Sequence, residues 1–259
     1  KPFSMETMQQ LELDRAFEIY KERFSNAGQF TFTFVGNFDL ENIKPLVEKY
    51  IASLPSTNQK EQWKDVGIRY PKGVVSKVIR KGKEPKASVR LAFTGEVSEI
   101  SDLDEVQVGQ LTKALAIKLR EVLREDAGGV YGVGVGGGFN REPVNSYGIT
   151  IQFGCAPENV DKLIALVMEE IKNTKANGVP AVNIEKVVAE QTRSLENDIK
   201  ENSFWRFRLE QNFFRGTDPT QILQAADKIK LITVDKTKEL ANKLFNENNM
   251  VKLILLPEE

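Results

Sequence analysis

Histidine is missing altogether from these 259 residues. No imidazole of this chain can serve as a base or a metal ligand, so Ser-His, Cys-His and His-zinc chemistry are excluded for it alone. Cysteine occurs once, as Cys155, which excludes an internal disulfide and a Cys-based zinc knuckle. No apolar run approaches the roughly 20 residues that span a bilayer. Charge of one sign is not in excess: 36 Lys and Arg stand against 37 Asp and Glu. The net charge of −1 supplies no global field for nucleic acid or an anionic membrane. A secretion signal is also lacking near Lys1, which is no natural start; an excised fragment is expected.

What is there suits one large domain, or one and a half smaller ones. A chain this long buries roughly 70–75% of its unfolded surface and needs no disulfide or metal to hold a core. Residues 4–25 read as a helix with Met5, Met8, Leu11, Ala16, Ile19 and Phe24 among its apolar positions, stopped by Gly28. The Phe/Thr alternation of Phe30–Phe34 predicts a half-buried strand. Asp39 caps a helix of about 40–53. Residues 55–73 hold Pro55, Gly67, Pro71 and Gly73 without periodicity and read as a linker. The domain plan is therefore 1–54, a linker at 55–73, and 74–259.

The second block predicts strands near 74–80 and 87–97, then a helix of about 101–124 with Val106, Leu111, Leu115, Leu119 and Val122 on apolar positions. Strands follow at about 129–138 and 146–155. Pro157 opens a helix carrying Val160, Leu163, Ile164, Val167, Met168 and Ile171, ended by Gly178. Further helices are expected at about 181–200, 204–214, 219–229 and 234–246, before a last strand at 251–256. A shift of 221 residues lays Leu11, Asp14, Glu18, Phe24, Phe30 and Phe34 on Ile232, Asp235, Glu239, Phe245, Val251 and Leu255 without a gap. The simplest reading is that residues 1–54 are the tail of one domain and the second block is a whole copy of the same type. A coincidence between two capped helix–turn–strand units is the alternative.

Several motifs have plain structural readings. Gly132, Gly134 and Gly137 match G-x-G-x-x-G, but they lie in an alternating segment with no helix behind them, so a pyrophosphate cradle is not expected. A strand whose missing side chains admit another backbone fits better. Lys77, Arg80, Lys81, Lys83, Lys86 and Arg90 read as a solvated hairpin edge, with an acidic-peptide site as the minor reading. Ser203–Arg215 reads as an amphipathic helix burying Phe204, Phe207 and Phe214. Cys155 reads as a small buried hydrophobe. Arg124 and Tyr131, seven apart where a helix gives way to a strand, are placed to touch something outside the fold. The structural alternative is an Arg complementing a helix dipole and a Tyr filling the core.

The run Leu119-Arg-Glu-Val-Leu-Arg-Glu-Asp-Ala-Gly-Gly-Val-Tyr131-Gly-Val resembles the Arg…Tyr signature of the pitrilysin/insulinase family of zinc metallopeptidases. Phe32–Asp39 with the helix to Pro55, Ala156–Val160, Gly178–Glu190 and Gly216–Pro219 resemble further family segments in the same order. The resemblance implies an α+β fold, a repeated metallopeptidase-like domain with a mostly antiparallel sheet and long helices on one face. Family enzymes hold zinc through H-x-x-E-H in a catalytic half. This chain has no His, so the resemblance is to the C-terminal, non-catalytic half: the tail of one family domain and a whole inactive one. It implies that Arg124 holds the substrate backbone and Tyr131 donates to the substrate carbonyl as it becomes tetrahedral. It further implies a peptide substrate, a partner N-terminal catalytic half on this chain or another, zinc bound by that half, and a periplasmic setting ahead of a cytoplasmic one. A non-catalytic scaffold or peptide-binding homologue is the other reading.

Overall fold

The computed structural model describes residues 3–57, 59–125 and 130–258, the side chains at 124, 125 and 131 excepted. The chain forms two compact units, Lys1–Val66 with Glu201–Pro219, and Gly67–Lys200 with Thr220–Glu259.

The smaller unit is helical. It holds α1 (Met5–Gln9), α2 (Leu13–Phe24), α3 (Leu40–Tyr50) and α7 (Asn202–Arg215). The single helix expected over 4–25 is two, because Glu12 is extended at φ −114° and ψ 124°. Asp39 caps α3 as expected, its carboxylate accepting from the Glu41 and Asn42 amides. Phe30–Phe34 is extended but forms no ladder. A strand exists through its neighbour's hydrogen bonds, and among the described residues none pairs with this one. Phe30, Phe32 and Phe34 are all exposed. The segment is tied down elsewhere: Asn26, buried, donates to the Gln59 carbonyl at 2.8 Å and accepts from the Thr57 amide at 3.0 Å. In α7 the Arg206–Glu210 pair is as an amphipathic helix predicts, but Phe207 and Phe214 are exposed rather than buried.

The larger unit is α+β. Its elements are β1 (Val75–Arg80), β2 (Ala87–Glu96), α4 (Asp102–Glu125), β3 (Val130–Asn140), β4 (Ser146–Cys155), α5 (Val160–Asn177), α6 (Ala181–Asp198), α8 (Ala225–Ile229), α9 (Val234–Leu244) and β5 (Met250–Leu256). The sheet order is β1-β5-β2-β4-β3, antiparallel except for the parallel pair β1–β5. The basic run at 77–90 is therefore not a hairpin: β5 lies between β1 and β2, and Lys77 and Arg80 sit on an edge strand.

Strand alternation sorts the sheet into two faces. Val89, Leu91 and Phe93 of β2, Ile149, Ile151 and Phe153 of β4, and Ile254 of β5 are buried. They meet Leu111, Leu115, Leu119 and Leu123, which recur every fourth residue down one side of α4 and are fully buried. Leu163, Val167 and Ile171 of α5 and Leu240 and Leu244 of α9 close the core, with Phe245 edge-on to Phe93 at 5.1 Å. Ser88, Arg90, Gln152, Leu253 and Leu255 lie on the other face and are exposed. Gly178 joins α5 to α6 with φ 76°; a Cβ there would stand 2.5 Å from the Val234 carbonyl oxygen, so only glycine fits.

Candidate functional site

Arg124 lies in the last turn of α4, one residue beyond the buried Leu123, and Tyr131 is the second residue of β3. Their side chains, and residues 126–129 between them, lie outside the described residues. The backbone around the corner is defined. Val130 pairs with Cys155 and Gly132 with Gly154, so two steps on β3 face one on β4. Tyr131 is thus the extra residue of a bulge. Bulges re-aim a side chain relative to the ladder and recur at sheet edges and beside active sites.

The support under this corner is apolar. Leu119 and Leu123 on α4, and Val133 on β3, are buried. Cys155, opposite Val130, is fully buried; burial, and then the charge of Glu158, push its thiol pKa up. It packs as a small hydrophobe, not as a nucleophile. At the far end of α4, Arg141 donates to the Ile100 carbonyl at 2.8 Å and pairs with Glu105 at 3.1 Å, fixing the turn between β3 and β4 to the start of the helix. Asp104 has its carboxyl pKa lowered despite partial burial, because the Ser101 hydroxyl and amide donate to it. These carboxylates cap and staple α4, as expected for acidic residues in a first turn.

The larger unit carries several recesses. A groove of about 630 Å³ is lined by Ser88, Arg90, Gly132, Gly134, Gln152 and Leu253. A second, of about 570 Å³, lies between Tyr70 and Pro71 of the segment before β1 and Glu96, Pro143 and Asn249. Sequence reasoning missed both, since each is assembled from strands whose order was not legible.

A catalytic zinc does not fit the residues of this chain. It has no His, and among the described residues no three Cys, Asp or Glu side chains converge on a point. Three polar side chains of α4 are buried among the described residues: Gln110 donates to the Ile229 carbonyl at 2.7 Å, Gln107 reaches the Leu231 carbonyl at 3.5 Å, and Thr112 donates to the Gly109 carbonyl at 3.0 Å.

A mostly antiparallel sheet packed on one face by long helices, with no metal-ligand cluster among the described residues, defines the class as an α+β domain. The chain belongs to the M16 peptidases, residues 10–191 matching the family model described as the peptidase M16 inactive domain. It is similar to the zinc protease PQQL-like of Arabidopsis thaliana, 26% identical over 81% of this chain and 23% of that protein. A PqqL of Haemophilus influenzae, named "Probable zinc protease PqqL", is 24% identical over 98% of this chain and 27% of its own length. The chain thus spans about a quarter of the curated relatives it matches. Among solved structures it is similar to the ferredoxin protease FusC, with a TM-score of 0.80 and 19% identity over all of this chain and 28% of that one. It is also similar to the periplasmic protease PqqL of Escherichia coli, with a TM-score of 0.72 and 20% identity over 86% of this chain and 25% of that one.

Proposed function

We propose that this chain is the C-terminal, substrate-positioning half of a zinc metalloendopeptidase acting on peptides or unfolded polypeptides. The match to an inactive peptidase domain, in a chain with no His, carries the reading. Relatives named zinc proteases, about four times as long, leave room for an N-terminal catalytic half on the same chain or on a partner subunit. On this reading residues 1–54 are the tail of a preceding domain, 55–73 a linker, and 74–259 the inactive domain. A periplasmic setting is the reading favoured by the neighbour described as a periplasmic protease.

A zinc held by the other half would supply Lewis acidity and an activated water. The work of this half is to hold the substrate. Arg124 donates hydrogen bonds to the peptide backbone. Tyr131 donates its hydroxyl to the carbonyl oxygen as negative charge grows there, a contribution worth roughly 3–4 kcal/mol per donor in comparable sites. With the catalytic half present, Tyr131→Phe should lower kcat by about 10²–10³-fold, and Arg124→Ala should lower kcat/KM on every peptide. Unchanged turnover in both would overturn the role. Zinc-dependent cleavage by the 259-residue chain alone would overturn the division of labour.

A second reading, a scaffold that has lost peptidase activity, has one observation in its favour. A respiratory Complex III from Candida albicans is similar in fold, with a TM-score of 0.60 and 17% identity over 85% of this chain. An intact H-x-x-E-H in the sequence upstream decides between the two.

A further inference from the structure

The sheet order explains only part of the basic run at 77–90. Lys77 and Arg80 sit on the edge strand β1, where cations keep an edge from pairing. Arg90 has no such reason. It lies on β2, the middle strand of five, with β5 on one side and β4 on the other. A position paired on both sides ordinarily takes a β-branched or aromatic side chain. No carboxylate of the sheet accounts for the charge either. The five strands carry one acidic residue, Glu96, six residues along β2 and so about 20 Å from Arg90. Among the described residues neither Arg90 nor Lys77 has an ion-pair partner.

The register defines what surrounds Arg90. Leu253 of β5 is paired with it on one side and Gln152 of β4 on the other. Leu253 pairs in turn with Lys77, so one apolar side chain stands between two cations. Ile79 and Leu255, themselves paired, extend the apolar part. Ser88 lies two residues back on β2, between Leu255 and Gly154. Ile79, Ser88, Arg90, Gln152, Leu253 and Leu255 all line the groove of about 630 Å³. Its volume is in the range of ligand sites. It offers an apolar end, one guanidinium beside it, and the neutral donors Gln152 and Ser88. That combination suits an anion joined closely to an apolar group. Directly paired side chains have Cβ atoms about 4.5–5.5 Å apart, so the two groups of the ligand must be equally close.

A peptide can bring a carboxylate to such a place in two ways. An internal Asp or Glu of an extended chain sends its neighbours' side chains to the opposite face, and the next side chain on its own face is about 7 Å away. Only the last residue carries a carboxylate and a side chain on the same carbon. We propose that this groove anchors the C-terminal residue of a peptide, with the terminal carboxylate on the Arg90 guanidinium and an apolar side chain against Leu253 and Leu255. The guanidinium fork binds a carboxylate through two parallel N–H···O bonds, and Gln152 and Ser88 stand as further donors. The choice of a peptide as occupant rests on the peptidase reading. A substrate held in this way is presented to the catalytic half at a set distance from its end.

The test uses the full-length protein that carries this chain, with its zinc removed by a chelator so that binding is read without cleavage. Three eight-residue probes are titrated calorimetrically: one ending in Leu with a free carboxylate, the same peptide as its C-terminal amide, and an amidated peptide with Glu at an internal position. The free acid should bind about tenfold tighter than the amide, a difference of 1.4 kcal/mol. Arg90→Gln should remove that difference, and Arg90→Lys should keep part of it, because lysine retains the charge without the fork. Leu253→Ser should weaken the Leu-ending acid severalfold and leave a Ser-ending acid unchanged. Residues 90 and 253 are exposed, so these variants should melt as wild type does. Equal affinity of acid and amide for the wild type overturns the proposal, as does a preference that survives Arg90→Gln. An internal-Glu amide that binds as tightly as the free acid overturns it by making any carboxylate sufficient. Octanoate that competes at the peptide's own affinity overturns it by making the peptide dispensable. Zinc-dependent cleavage of the amidated probe by the untreated protein upholds the peptidase reading in each of these cases, so the two fail separately.

Discussion

Two neighbouring residues, Leu123 and Arg124, should respond to truncation in opposite ways. Leu123 is fully buried at the end of the α4 stripe and belongs to the core shared with β3 and β4. Leu123→Ala removes the equivalent of three carbon groups, which is about 2.5 kcal/mol of transfer free energy at 0.8 per group. The sheet below is held in register on both sides by β2 and β4, so the site cannot collapse freely. A cavity penalty then brings the expected loss to roughly 3–4 kcal/mol. For a domain with about 5–15 kcal/mol of stability this is a large fraction. Urea unfolding followed by circular dichroism should show a lower midpoint with an unchanged slope. If the proposed substrate contact is right, Arg124→Ala should stay within about 0.5 kcal/mol of wild type by the same assay, while it lowers turnover in the complete enzyme. Comparable destabilisation by both would refute the reasoning. It would mean that Arg124 supports the fold, and the corner would lose its claim to be a substrate contact.

Three further outcomes follow from the larger unit. Gly178→Ala should destabilise by roughly 1–3 kcal/mol, because the residue is held in a left-handed conformation against the Val234 carbonyl; Gly136→Ala, in open space, should not destabilise at all by the same melt. Thr237 is fully buried, accepts from the Val179 amide at 2.9 Å and donates to the Val234 carbonyl. Thr237→Val keeps the shape and strands that amide, at a cost of about 1–3 kcal/mol in denaturant titration. Glu170 is buried and its pKa is raised, chiefly by desolvation. A carboxyl raised in the folded state binds its proton more tightly there, so stability falls as pH rises from the ordinary value through the raised one. Glu170→Gln should therefore raise Tm at pH 7 and change it little at pH 4; a larger gain at pH 4 would contradict the sign.

The parts of the fold legible in the sequence are those whose cause is local. Strand β4 spans Ser146–Cys155 because its apolar residues alternate without interruption. Helix α4 is recognisable because Leu111, Leu115 and Leu119 repeat on one side, although the buried stripe continues at Leu123 rather than at the expected Val122, which is only half-buried. The parts that were not legible depend on partners. Phe30–Phe34 has the alternation of a strand, yet nothing among the described residues pairs with it. The parallel pairing of β1 with β5 joins residues 176 apart in the chain, such as Val75 and Val251, and no local signal announces it. The break between α1 and α2 falls at Leu11–Glu12 with no glycine or proline to mark it. The same division holds at the site. Arg124 and Tyr131 stood out through their spacing and a family resemblance. The glycines of β3 were visible in the sequence, but that the strand is an edge needed the sheet order.

On α4 the buried Gln107 and Gln110 amides donate to the carbonyls of Leu231 and Ile229, while their own side-chain oxygens are buried without a hydrogen-bond partner among the described residues. The helix serves as a core element, with four leucines fixing it against the sheet. On the proposed function, a helix fixed by its leucines and followed by a bulge would give Arg124 and Tyr131 a rigid mount.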